Sequence, residues 1–293
     1  MKDFLLYTGC TTPVRLPAYE ASIMVVLEKL GIRLKLLKDA NCCGSQYVES
    51  VSHTAFCAMS ARILALAEKE GKDILAICGA CSGSLKMVKH DLDKDPKLRD
   101  EVNEILAEEG LEYTGKSEVK HLLQIFREDI GYDAIKAAIV KPYTGVKLVA
   151  HYGCHVTRPE EIVKVDNAQN PTIIDKIIEL TGATAVDYTG KTRCCGGPML
   201  GMDAEVATKI GLDKIGNMRD VGADGIVTAC EFCDIQLTMI QFDDLAEGAT
   251  KIPVIPLPQF LGPALGIDFD KLGIHLNKID PKALFQSTTH GGV

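Results

Sequence analysis

The 293-residue chain has no stretch of about 18 consecutive apolar residues, so it offers no candidate transmembrane helix. It has no run of Lys and Arg long enough to suggest a nucleic-acid partner, and its formal charge is −8, which repels phosphate backbones. The opening MKDFLLYTGC carries one Lys and an early Asp but no small-residue cleavage site, so it reads as a first strand and not as a signal peptide. The lone Asn-x-Thr, at Asn170, has Pro in the middle and is no glycosylation acceptor. The glycines of GGPMLG do not follow the G-x-G-x-x-G spacing of a dinucleotide site, and no Ser/His/Asp arrangement stands out. Together these absences predict a cytoplasmic protein without nucleic-acid business. Hydrophobic content of 46% and charged content of 25% are ordinary for a globular chain. The length fits two average domains or one large one.

What the chain has in excess is cysteine, eleven in all. In a cytoplasmic setting that favours metal or redox chemistry over disulfides. Ten of the eleven fall into two copies of one pattern. Cys10 is followed after 31 residues by Cys42-Cys43, and after 34 more by Cys78-x-x-Cys81. Cys154 is followed after 39 residues by Cys194-Cys195, and after 34 more by Cys230-x-x-Cys233. Both adjacent pairs precede glycine, in CCGS and CCGG, and FLLYTGC echoes KLVAHYGC as DILAICGAC echoes GIVTACEFC. HLLQIF at 121–126 has its own echo in PLPQFL at 256–261. Such self-similarity marks an internal duplication, with the halves predicted to span 1–140 and 141–293. The charged segment KHDLDKDPKLRDEVNEILAEEG reads as a solvated helical excursion within the first half.

Within each copy, short apolar runs alternate with amphipathic stretches. DFLLYTG, IRLKLL and DILAIC read as strands, with PAYEASIMVVLEKLG and HTAFCAMSARILALAEKEG as helices between them. The second copy follows with VKLVAHY, TAVDY and DGIVTAC around PTIIDKIIELTG and AEVATKIGLDKIGNMRDVG. Alternation of this kind implies βαβ units. The predicted class is α/β: two pseudo-symmetric Rossmann-like halves, each with a mostly parallel sheet. The cysteines fall at or just after strand C-termini, the edge where open parallel sheets bind ligands. Each half should therefore gather five thiols into one nest.

The adjacent pairs limit what a nest can hold. Neighbouring Cα atoms lie ~3.8 Å apart, short for a disulfide, and adjacent side chains diverge on both strand and helix. They suit two different atoms of one larger object. One zinc takes four ligands and would leave a thiol over. A cubane cluster often uses a C-x₂-C-x₂-C run, which is absent here. A thioredoxin-like dithiol needs only C-x-x-C. An iron–sulfur assembly of several irons accommodates five thiolates best. Zinc or free thiols in both halves, or one cluster beside one zinc, are the alternatives.

The doubled pattern resembles the cysteine-rich "CCG" domain family along nearly the whole chain. The resemblance implies a non-cubane [4Fe–4S] cluster on Cys10, Cys42, Cys43, Cys78 and Cys81, and a second on Cys154, Cys194, Cys195, Cys230 and Cys233. The branch it resembles most is the B-type subunit of methanogen heterodisulfide reductases. That branch implies reduction of the coenzyme M–coenzyme B heterodisulfide to two thiols by one-electron steps, with the disulfide split between the clusters. It also implies a partner subunit with ferredoxin-like iron–sulfur clusters and a flavin subunit. Other family members serve lactate, glycolate, fumarate and succinate enzymes, so a subunit of another thiol-linked oxidoreductase is one alternative and a non-catalytic metal-stabilised scaffold another.

Other residues carry weaker expectations. Lys191 and Arg193, just before Cys194, could receive an anionic substrate. His151 and His155 flank Cys154, where a histidine could donate a hydrogen bond or a proton, with His155 the candidate proton donor. Gly44 and Gly196 lack side chains where backbone would approach a cluster. Cys57 lies outside the repeat, on a helix face, and reads as a small core hydrophobe.

Overall fold

The computed structural model describes residues 2–243, 245 and 249–286; the remaining end of the predicted second half, 287–293, lies outside them. Two four-stranded sheets form, both wholly parallel. In the first, β1 (Lys2–Tyr7), β2 (Ile32–Leu36), β3 (Ile74–Ala76) and β4 (Val119–His121) run in the order β2-β1-β3-β4. In the second, β5 (Lys147–His151), β6 (Thr184–Ala185), β7 (Gly225–Thr228) and β8 (Val254–Pro256) run β6-β5-β7-β8. The α/β expectation and the duplication therefore hold, each sheet being parallel throughout.

The central strands are buried along most or all of their length, as for Phe4–Tyr7, Ile74–Ala76 and Gly225–Thr228, because helices cover both faces of a parallel sheet. The expected helices form as Pro17–Lys29, His53–Lys69, Ile173–Leu180 and Ala204–Asp220. Two begin at side-chain caps, Ser52 accepting from Ala55 N–H and Asp203 from Val206 N–H. The charged excursion is two helices broken at Asp95-Pro96, and the second, Pro96–Ala107, packs its Val102 and Leu106 inward against His53–Lys69.

Strands β4 and β8 go unpredicted by the sequence pattern. Each has only three residues, too few for a period to show. HLLQIF and PLPQFL, recognised as echoes, begin at the ends of these two strands. A helix beyond each strand packs on the other half. Tyr132–Ala138 lies against Ile173–Leu180, where Lys136 Nζ donates to Leu180 O at 2.9 Å. Leu257–Ala264 lies against Pro17–Lys29. This reciprocal exchange makes the two sheets one continuous core. Among the described residues no helix is long and apolar enough to cross a membrane.

Candidate metal centre

In each sheet the strand order reverses direction between the two central strands, β1 and β3 or β5 and β7. Connections leave to opposite sides there, opening the crevice at the strand C-termini where α/β sheets bind ligands. Cys10 follows β1 after Gly9, whose φ of +69° is open to glycine at little cost. Cys78 follows β3 and is the extended N-cap of helix Gly79–Lys94, so Cys81 lies in that helix's first turn. Cys42 and Cys43 come from the loop after β2. Cys43 Sγ donates to Cys81 Sγ at 3.6 Å, and Gly44 N–H donates to Cys42 Sγ at 3.4 Å. The hydrogen bond from Cys43 brings the Cys81 thiol down to about 6 against the opposing effect of burial, whereas Cys10 is pushed up, first by its hydrogen bond with Cys42 and then by burial.

The second nest repeats the design. Cys154 opens the short helix Cys154–Thr157 after β5, Cys230 follows β7, and Cys233 lies in the first turn of Glu231–Asp243. Gly196 N–H donates to Cys194 Sγ at 3.3 Å and Gly197 N–H to Cys195 Sγ at 3.4 Å. A hydrogen bond with Cys154 depresses the Cys194 thiol and, from the other side, raises that of Cys154. At the floor, one ring nitrogen of His151 and the sulfurs of Cys195 and Cys233 all lie within 4.8 Å of one another. His151 is 0% exposed, and neither ring nitrogen has a hydrogen-bond partner among the described residues. Burial pushes this imidazole down to about 3, so it is neutral.

The two nests adjoin. Cys78 Sγ and Cys230 Sγ, 152 positions apart in the chain, are 4.0 Å from each other. A cavity of about 300 Å³ is lined by all five cysteines of the first nest and by Cys154, Cys195, Cys230 and Cys233 of the second. Tyr47 of one half and Phe232 of the other line it too, and Tyr47 Oη donates to Pro198 O at 2.9 Å, tying the halves together. Glu231 adds a carboxyl that the sequence pattern did not single out, although its position inside Cys230-x-x-Cys233 was a clue. It is 2% exposed, and its Oε2 has no hydrogen-bond partner among the described residues. Burial, then the neighbouring Cys230, raises it to about 9, so it carries its proton at neutral pH.

Lys191 and Arg193 do not line this cavity. Lys191 Nζ is paired with Asp175 at 2.7 Å and lies over the Tyr152 ring, while Arg193 is exposed and faces Asp213 at 3.6 Å. His155 lines the cavity with Nδ1 3.4 Å from Cys154 Sγ. Cys57 is fully buried in helix His53–Lys69 and does not line the cavity. Gly44 and Gly196 have φ of +82° and +88°, and a Cβ on Gly196 would meet Ala207 O at 2.3 Å. A neighbouring helix therefore demands the second glycine.

One unpredicted feature is duplicated as well. Nineteen residues after the second cysteine of each pair stands a cation, Arg62 or Lys214. Arg62 donates to Asp39 O at 2.7 Å and Asn41 Oδ1 at 3.1 Å. Lys214, 3% exposed, donates to Gly190 O at 2.7 Å and Arg193 O at 3.0 Å. Each cation thus clamps the loop that presents an adjacent cysteine pair.

Ten converging sulfurs without disulfides, with backbone N–H groups aimed at several of them, form a donor set of soft thiolates. Such sets select iron–sulfur clusters, zinc or copper(I). The sulfurs adjoin a shared cavity instead of closing one tetrahedron, and this fits a group larger than a single ion in each nest. Fold and site together define a duplicated α/β protein with paired thiol nests at its two topological switch points. A profile for the family described as "Cysteine-rich domain" (CCG) matches residues 4–86 and 148–238, and the chain belongs to this family. It is 34% identical over 284 residues, 95% of this chain and 94% of the relative, to the B-type subunit of the ferredoxin/F(420)H(2)-dependent CoB-CoM heterodisulfide reductase of Methanosarcina acetivorans. It is 32% identical, over 97% of this chain and 99% of the relative, to the "8-methylmenaquinol:fumarate reductase membrane anchor subunit" of Wolinella succinogenes. The fold is shared with a hypothetical protein from Helicobacter pylori, TM-score 0.75 at 17% identity, covering 94% of this chain and 51% of that one.

Proposed function

We propose that the chain is the iron–sulfur catalytic subunit of a cytoplasmic disulfide-reducing complex, holding one non-cubane [4Fe–4S] cluster in each nest. Cys10, Cys42, Cys43, Cys78 and Cys81 hold the first, and Cys154, Cys194, Cys195, Cys230 and Cys233 the second. The substrate is a small-molecule disulfide, the coenzyme M–coenzyme B heterodisulfide, and the electrons come from a ferredoxin-like iron–sulfur subunit and a flavin subunit. The observation that carries the reading is the single cavity walled by cysteines of both halves, with Cys78 and Cys230 in contact. Disulfide reduction takes two electrons, which a cluster held in each nest would supply in one-electron steps.

The chain's own residues do the rest. The Gly44, Gly196 and Gly197 N–H groups stabilise anionic sulfur. The Arg62 and Lys214 clamps hold the adjacent pairs in place. Tyr47 and Phe232 limit water at the cavity wall. Two thiol products need two protons, and Glu231 and His155 are cavity-wall groups able to hold one. Anaerobic iron and acid-labile sulfide analysis tests the reading, with about eight irons per chain expected for two such clusters. Only zinc would remove it. Zinc in the second half alone is a second reading, favoured by the His151, Cys195 and Cys233 group. The 32% identity to the fumarate reductase subunit favours service in another oxidoreductase. Turnover of the heterodisulfide with a reduced dye separates that from the main reading.

A further inference from the structure

The two nests are not equivalent at their floors. The last residue of β1 is Tyr7, three before Cys10, and the last residue of β5 is His151, three before Cys154. They occupy matching sheet positions, Tyr7 beside Ala76 and His151 beside Thr228. Tyr7 Oη is already used, donating to Asn41 O at 2.9 Å. His151 is fully buried, and among the described residues both its ring nitrogens are unpartnered. One of them shares a 4.8 Å cluster with the sulfurs of Cys195 and Cys233. A neutral imidazole carries one N–H, and buried donors are nearly always satisfied.

We propose that His151 donates its ring N–H to a sulfur of the cluster held in the second nest, a contact with no counterpart in the first. This rests on the iron–sulfur reading above. Hydrogen bonds to cluster sulfurs tune reduction potential, because a donor stabilises the extra negative charge of the reduced state. His151 therefore raises the potential of the second cluster relative to the same cluster without it. The two clusters are then distinguishable by potential, and the second is the easier to reduce by this contribution.

The test is an EPR-monitored redox titration of the full chain, with iron and sulfide counted on each sample. His151→Phe should keep its iron and lower one midpoint potential by about 59 mV, a tenfold shift in a one-electron equilibrium. His151→Gln, which keeps an N–H donor, should recover most of that shift. Tyr7→Phe should leave both potentials in place. An unchanged potential in fully loaded His151→Phe overturns the inference and leaves the iron–sulfur reading standing. Zinc in the second nest of the wild-type chain overturns both. Should His151→Phe fail to load, pulsed EPR of the wild-type chain labelled with ¹⁵N-histidine decides. A weak nitrogen coupling that survives His155→Ala supports the hydrogen bond. No coupling, or one strong enough for iron-bound nitrogen, overturns it.

Discussion

Gly196→Ala probes why each cysteine pair ends in glycine. At φ +88° an alanine incurs the left-handed penalty of roughly 1–2 kcal/mol. Its Cβ would also meet Ala207 O at 2.3 Å, Ala207 C at 3.2 Å and Ala207 Cα at 3.4 Å. These are backbone atoms of helix Ala204–Asp220, so no side chain can rotate away, and relief requires the helix or the loop to move. Overpacking of that kind costs about 1–3 kcal/mol. The gain from a stiffer unfolded chain, roughly 0.4–1 kcal/mol, offsets part of this. The net loss is about 2–4 kcal/mol. Gly44→Ala is the control. It meets the same backbone penalty at φ +82°, but its nearest neighbour, Val48 Cβ, stands at 3.0 Å, a much milder overlap than the 2.3 Å at Gly196. Its loss should be smaller by about 1–2 kcal/mol. Urea unfolding of both variants at one pH, extrapolated to water, reads the difference. A Gly196→Ala loss below about 1 kcal/mol, or one smaller than that of Gly44→Ala, refutes the packing argument.

Cys57→Ala should keep full iron, since Cys57 stands outside both nests, and should cost roughly 1 kcal/mol for a small cavity; iron loss equal to that of Cys43→Ala would show the ligand sets to be wrong. A Cys194→Ala, Cys195→Ala chain should keep about four irons and lose nearly all disulfide reduction, whereas near wild-type turnover would make the second nest a relay. Lys86, buried and donating to Gln124 Oε1 in its own half and to Val163 O in the other, is brought by burial from 10.5 to about 7. Between those values the unfolded chain binds more protons than the folded one. Stability should therefore rise with pH from about 7 toward 10.5, by up to about 1.4 kcal/mol per unit. The comparison of Lys86→Met with wild type isolates this slope, and parallel pH curves for the two would contradict it.

Much of the protein was legible in the sequence because its signals are local. Strand and helix periods, Gly stops and the fixed 34-residue gaps depend on neighbours along the chain, and the topology of alternating strands and helices puts loops at one sheet edge. Hence the α/β class and the duplication followed from the sequence, as did the cysteine sets proposed as ligands. β4 and β8 did not, because three residues carry no period. The fate of Lys191 was not legible either: its spacing from Cys194 said nothing of Asp175, nineteen positions before Cys194, which holds it at 2.7 Å. Which atoms meet across the halves is set by how two folded bodies pack. Only that packing brought Cys78 to Cys230, turned Glu231 into the cavity wall and left His151 buried beside sulfur without a partner. The sequence determined which thiols each half could gather, since chain spacing and strand order are encoded locally. The tertiary structure decided that the two gatherings share one cavity, because contacts between distant segments arise from the shape and burial of whole surfaces and leave no period in the chain.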